Sequence, residues 1–251
     1  MYNFFVDEGS RQGDSFLISG ADYNHICNVL RMQVGDTFLV SCCGQSCLCR
    51  LDHLEESTVV AQIVEEDYQN TELPIRLHLF QGLPKGDKME LIIQKTVELG
   101  VSEITPVEMS RCVMKLDEKK KKARQARWQS IAESAAKQSK RNVIPEITDV
   151  LTYKQALAKI EELDLFLVPY ENERGMAATR DALSKIESGM SVGILIGPEG
   201  GFDPQEVSQA QQAGAIAISL GKRILRTETA AVTAIGMGML YAEMNLDGDN
   251  R

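Results

Sequence analysis

Ser191-Val192-Gly193-Ile194-Leu195-Ile196, running directly into Gly197-Pro198-Glu199-Gly200-Gly201, is the stretch that decides the fold. A short run rich in Val and Ile, with almost no polar alternation, suits a strand covered on both faces, and such strands belong to parallel sheets. Parallel strands present ligands at their carboxyl ends. The glycines that follow let the backbone approach a ligand closely or take a positive φ, and Pro198 stiffens the turn between them. Asp203-Pro204-Gln205-Glu206 then predicts a helix start, with Asp203 as N-cap, Pro204 at the first helical position, Glu206 completing a capping box and Gly214 as the stop. Residues 215–220 form a second buried strand, which empties into Gly221-Lys222-Arg223-Ile224-Leu225-Arg226-Thr227-Glu228-Thr229. Two glycine-bearing loops thus leave neighbouring strand ends and predict a ligand site. Neither loop matches Gly-x-Gly-x-x-Gly or the P-loop, so dinucleotide and triphosphate binding lose their usual support.

Upstream, strands alternate with helices, the pattern of a parallel sheet with helices on its faces. Residues 77–81 read as the first strand, and His78 in it as a core or edge histidine. A helix follows in which Met89, Ile92, Ile93, Thr96 and Val97 share one face, ending at Leu99-Gly100. Strands are expected at 101–107 and 163–168, the latter opening onto Pro169-Tyr170-Glu171 as a third loop. Lys88 and Lys95, read by themselves, are a solvated helix face. Residues 229–244 form an apolar helix with small residues that permit close packing and methionines that fill gaps.

Residues 1–72 have a different texture. Short, turn-punctuated strands are expected at 4–6, 16–18, 37–41, 47–51 and 59–64, the third and fourth forming a hairpin around Gly44-Gln45. One helix, 21–32, is expected to be capped by Asp22 and to bury Ile26, Val29 and Leu30. The acidic segment 65–72 reads as a linker, dividing the chain into domains 1–72 and 73–251. Cys42, Cys43, Cys47 and Cys49 lack a second ligand pair at zinc-finger distance, which favours structural thiols and no metal.

The 251 residues are 43% hydrophobic, enough for a proper core. No run approaches the roughly 20 apolar residues of a membrane span, and the first eight residues do not resemble a signal peptide, so a cytoplasmic protein is expected. Net charge is -9, yet residues 115–141 hold ten Lys or Arg against three Asp or Glu. That basic segment, with Lys119 to Lys122, Arg124 and Arg127, is a candidate for holding a phosphate backbone; a solvated helix is the alternative.

The strings Gly197-Pro198-Glu199-Gly200-Gly201-Phe202 and Leu220-Gly221-Lys222-Arg223-Ile224-Leu225-Arg226-Thr227-Glu228-Thr229-Ala230 resemble the SPOUT superfamily of RNA methyltransferases. The nearest resemblance is to the RsmE type, which methylates N3 of a uridine in small-subunit (16S) rRNA. Lys85-Gly86-Asp87-Lys88-Met89-Glu90, Glu98-Leu99-Gly100-Val101 and residues 23–36 carry the same resemblance, although the family's histidine pair is Asn24-His25 here and its N-terminal basic residue is replaced by Tyr2-Asn3. The resemblance implies a small PUA-like β-barrel domain, then a SPOUT α/β domain tied in a trefoil knot, acting as a homodimer on the small ribosomal subunit.

It implies S-adenosylmethionine held by Pro169, Glu171, Ile196, Gly197, Pro198, Glu199, Gly200, Gly201, Leu220, Gly221, Ile224, Leu225, Arg226, Thr229 and Ala230. Arg226, Glu228 and Glu199 are the catalytic candidates. Arg31, Lys85, Lys88, Lys95, Arg111, Gln138, Arg141, Lys222 and Arg223 are the RNA-contact candidates. Two other readings stay open: a non-catalytic RNA-binding or ribosome-assembly factor of the same fold, and an α/β enzyme acting on a small nucleotide.

Overall fold

A computed structural model describes residues 1–173 and 175–246. The chain divides into two compact units, Met1–Glu72 with Ala136–Ile144, and Leu73–Ala135 with Pro145–Arg251. A single cut after residue 72 therefore leaves out the return of Ala136–Ile144 to the first unit.

The first unit is a six-stranded sheet built from β1 (Asn3–Val6), β2 (Arg11–Gln12), β3 (Ser15–Ser19), β4 (Thr37–Cys42), β5 (Gln45–Glu55) and β6 (Thr58–Glu65), in the order β1-β4-β5-β6-β3-β2. Only β1 and β4 run parallel. The hairpin turns at Cys43-Gly44, both at positive φ, as a two-residue turn demands. Phe4, Phe16, Ile18, Ile26, Phe38, Val40, Cys47, Cys49 and Leu51 form its core. Burial pushes the Cys49 thiol up to about 12, so it stays protonated as a small apolar group.

The helix of this unit departs from expectation. It is a short α1 (Gly20–Asn24) that widens into a π turn over His25–Val29, and Val29 is 65% exposed. Its N-cap is Ser19, while the Asp22 carboxylate accepts from Lys137 Nζ at 3.2 Å. The wider turn takes Val29 off the apolar stripe that a 3.6-residue period predicts.

The second unit is an all-parallel sheet, with β7 (Arg76–Gly82), β8 (Val101–Glu108), β10 (Leu151–Thr152), β11 (Leu165–Pro169), β12 (Ser191–Ile196) and β13 (Ile216–Ile218) in the order β10-β8-β7-β12-β11-β13; β9 (Glu146–Ile147) also pairs with β8. Every residue of β12 is buried, as its composition predicts. Helix α2 (Lys88–Glu98) buries Met89, Ile92, Ile93, Thr96 and Val97, the face read from periodicity, and Gly100 follows at φ +91. Helix α3 (Glu118–Ser139) seats Trp128 with no exposed surface.

Two short helices, α4 (Tyr153–Ala158) and α5 (Ala177–Leu183), precede α6 (Pro204–Gln212) and α7 (Thr227–Asn245). The capping box of α6 forms as the sequence predicts, and Gly214 takes φ +103 beyond its end. Among the described residues no helix is long and apolar enough to cross a membrane.

The segment read as a linker is anchored within the first unit. Arg141, an RNA-contact candidate, is 3% exposed, and its Nε donates to Glu72 at 2.9 Å; Asn142 N donates to the same carboxylate at 2.8 Å. The Arg141 carbonyl in turn accepts from Asn3 Nδ2 at 3.0 Å. Arg141 is buried and Glu72 partly buried, so removing the guanidinium takes the main partner from a partly desolvated carboxylate. Arg141→Ala is expected to lower unfolding free energy by about 3 kcal/mol, while Gln138→Ala, at an exposed position, changes it by less than about 0.5 kcal/mol; urea denaturation measures both.

Candidate functional site

The carboxyl ends of β7, β11, β12 and β13 lie side by side, because these four strands are consecutive in the sheet. Their loops, with the start of α7, enclose a cavity of about 430 Å³. One wall is Ile196, Gly197, Pro198, Glu199, Gly200, Gly201 and Phe202, a second is Pro169, Tyr170 and Glu171, and a third runs from Ser219 through Thr227 to Ala230, with Lys88 completing the lining. All the residues expected to hold a cofactor line it except Thr229, which is exposed outside it.

The glycine loop sits where it does because Gly82 has no side chain. A Cβ there would stand 2.8 Å from Pro198 N, Pro198 Cδ and Met109 Sδ. From the other side, Arg111 Nη1 donates to the Gly200 carbonyl at 3.1 Å, and a Cβ on Gly200 would meet the Arg111 Cβ at 2.9 Å. Arg111, expected as an RNA contact, braces this loop. Gly201 and Gly221 hold φ +67 and +107, conformations that side chains rarely adopt.

Charge in the site is arranged in two groups. Lys88 Nζ lies 3.0 Å from Glu199 Oε1 and 3.5 Å from Glu228 Oε2, and Lys85 N donates to Glu199 Oε1 at 2.9 Å. Lys88, read from sequence as solvated or as an RNA contact, is thus a cavity residue joined to two carboxylates. A lysine in the first turn of a helix opposes the macrodipole, and these carboxylates offset that cost. Partial burial pushes the Glu199 carboxyl up, but the Lys88 ammonium and the nearby backbone N–H groups outweigh it and hold Glu199 below the usual carboxylate range. Lys88 is raised in turn, chiefly by its bond to Glu199. Glu228 Oε2 is buried without a hydrogen bond, and Glu228 does not line the cavity.

The second group is on the rim. Lys222, Arg223 and Arg226 are exposed cavity residues, and no ion pair engages them among the described residues. Ile224, between them, is 84% exposed. The other RNA-contact candidates are scattered: Lys95 pairs with Glu98 at 2.8 Å, Lys85 and Gln138 are exposed, and Arg31 sits at φ +54 in the first unit.

Sequence reading missed Thr227 and Gln81. The Thr227 hydroxyl donates to the Gly197 carbonyl at 2.7 Å and accepts from Gln81 Nε2 at 3.0 Å. Periodicity gives no signal for either; a polar residue near the end of an apolar strand, as Gln81 is, was the available hint.

Volume and lining suit a small-molecule ligand. The volume lies in the range of small-molecule sites, and the lining combines apolar Pro169, Leu220, Leu225 and Ala230 with Gly197, Gly200, Gly201 and Gly221, which have no side chain to cover their backbone.

Comparison with known proteins gives consistent findings. The family model described as RNA methyltransferase domain matches residues 71–239, and that described as RNA methyltransferase PUA domain matches 18–64. The ribosomal RNA small subunit methyltransferase E of Bacillus subtilis (strain 168) is 38% identical over an alignment covering 99% of this chain and 100% of its own. Its counterpart in Mesomycoplasma hyopneumoniae (strain 232) is 35% identical, covering 92% of this chain and 96% of its own. Among solved structures, a ribosomal RNA small subunit methyltransferase E from Neisseria gonorrhoeae bound to S-adenosyl methionine superposes with TM-score 0.80 at 34% identity, covering 94% of this chain and 96% of that one.

Two expected outcomes follow from the cavity. Gly82→Ala should displace Pro198 and destabilise the chain by about 1–3 kcal/mol, measured by urea denaturation. Because Glu199 is depressed by Lys88, its contact contributes fully above the ordinary carboxylate pKa of about 4.3 and is lost as pH falls through the lower folded value. The Tm difference between wild type and Lys88→Met should therefore shrink below about pH 4, as scanning calorimetry across pH would show.

Proposed function

Since the chain belongs to the RNA methyltransferase family shared by these relatives, we propose that it transfers a methyl group from S-adenosylmethionine to N3 of a uridine in the RNA of the small ribosomal subunit. The observation that carries this reading is the cavity at the strand ends, whose lining takes in all but one of the residues expected for the cofactor. When bound there, the cofactor supplies an activated sulfonium methyl.

The residues of the chain supply the rest. The backbones of the glycine loop and of residues 219–225 offer donors and acceptors to adenine edges, while Leu220, Leu225 and Ala230 offer apolar contact. The uracil nitrogen is a weak nucleophile while protonated, so the site must favour loss of that proton. Arg226 does so: permanently charged, planar and without an internal partner among the described residues, it stabilises the imide anion. Glu199, which lines the cavity together with Glu171, is held ionised and is able to accept a hydrogen bond from substrate. Glu228 braces Lys88 at the start of α7. Lys222 and Arg223, unpaired on the rim among the described residues, hold flanking phosphates as sequence-independent contacts.

Around this chemistry we infer a homodimer in which the path from β13 back to α7 is drawn through the preceding loops as a trefoil knot, acting in the cytoplasm on RNA already within the small subunit. Arg31 and the exposed part of the basic segment add phosphate contacts.

Labelled S-adenosylmethionine mixed with small subunits lacking their modifications, followed by mass spectrometry of the nucleosides, should place label on uridine N3. RNA binding without cofactor binding would instead indicate a non-catalytic assembly factor. Arg226→Ala should lower the methyl-transfer rate at least about 100-fold while leaving circular dichroism unchanged; an active, folded Arg226→Ala protein removes it from the mechanism.

A further inference from the structure

Gln81 has no exposed surface, and it stands one residue before the carboxyl end of β7. Its register partner on β12 is Ile196, the last residue before the glycine loop. Its side-chain amide donates twice, to the Gly82 carbonyl at 2.9 Å and to the Thr227 hydroxyl at 3.0 Å. With its oxygen accepting from Gln81, the Thr227 hydroxyl has one proton left, and this goes to the Gly197 carbonyl at 2.7 Å. Every donor in this relay is used once and in one direction, so the order Gln81 to Thr227 to Gly197 is fixed. The three groups are buried, where such a bond is strengthened and a missing partner is costly.

The last bond of the relay, from Thr227 to Gly197, joins the two halves of the site. Gly197 is the first residue of the glycine loop, and Thr227 is the first residue of α7, directly after Arg226, which serves as that helix's N-cap. Arg226 provides no side-chain cap bond of its own, so the start of α7 is set by its neighbour. A second link runs alongside: Lys88, from the helix that follows β7, joins Glu199 of the same glycine loop to Glu228 of the same first turn of α7. Residues 197 and 199 are thus tied to 227 and 228 at two points, one directly through the Thr227 hydroxyl, which Gln81 of β7 supports, and one through Lys88 of α2.

We propose that Gln81 and Thr227 are positioning residues of methyl transfer: their hydrogen-bonded relay holds the cofactor loop at the distance from α7 that aims Arg226 at the reacting base. This rests on the function proposed above. Methyl displacement depends on alignment of nucleophile and methyl carbon, so a small shift of one loop against the other costs rate rather than RNA affinity. Neither residue belongs to the cationic rim.

The test uses full-length Thr227→Val, Thr227→Ser, Gln81→Leu and the double variant Gln81→Leu/Thr227→Val. Single-turnover methyl transfer on unmodified small subunits is measured together with the cofactor Kd by calorimetry. Loss of one buried hydrogen bond should raise the cofactor Kd and lower the single-turnover rate, each by about 10-fold, with KM for the subunit unchanged. Thr227→Ser should recover most of what Thr227→Val loses, and the double variant should be little worse than either single one, because both break the same relay. Equal losses in Val and Ser variants, additive losses in the double variant, or a rise in subunit KM alone would overturn the proposal. If Thr227→Val does not fold, Gln81→Leu and Thr227→Ser carry the same comparison. A wild-type protein that binds no S-adenosylmethionine would refute the proposed function itself; a competent wild type with unaffected variants refutes only the relay.

Discussion

The parallel pairing of β7 with β12 is the constraint on which the second unit depends. Six consecutive register pairs, from Ser191 with Arg76 to Ile196 with Gln81, end both strands at the same level. Because the pairing stops there, the glycine loop emerges directly over the end of β7, and only a residue as small as Gly82 permits the contact with Pro198. β11 and β13 continue the sheet on the same side, so their loops open at the same level. The cavity is a consequence of strand order: β12, β11 and β13 are consecutive in the sheet, so the loops after them line one space at their carboxyl ends.

The site separates two uses of charge. Lys88, Glu199 and Glu228 neutralise one another in part, each held in place by a partner. Lys222, Arg223 and Arg226 have no internal partners among the described residues, so their charge is available to a polyanion. A chain with net charge -9 can hold RNA on these terms, since attraction depends on where unpaired cations stand and not on their sum. The basic segment is less free than its lysine run suggests: Lys120 pairs with Asp117, Lys121 with Glu108 and Glu118, and Arg127 with Glu90.

In the first unit the ion pair of buried Arg141 with partly buried Glu72 fastens the returning segment. Asn3, Asn142 and Thr71 add hydrogen bonds to it, so that charges and backbone groups withdrawn from water have partners. Asn3, 5% exposed, belongs to that buried network.

The sequence by itself determined what depends on near neighbours along the chain. The buried strand 191–196, the capping box of α6, the apolar face of α2 and the two glycine loops all rest on composition or on spacings of two to four residues, and each is present as read. Tertiary structure alone decided partners far apart in sequence. Arg141 meets Glu72 across 69 positions, Gln81 meets Thr227 across 146, and Lys88 joins acids more than a hundred residues away. An isolated lysine or arginine reads as solvated because its charge favours water; Lys88 and Arg141 take structural places because folding brings carboxylates to them. The same holds for the choice between Thr227 and Thr229. Both belong to the same motif, but the first faces the Gly197 carbonyl and the second faces solvent, because two positions along α7 lie on different sides of the helix.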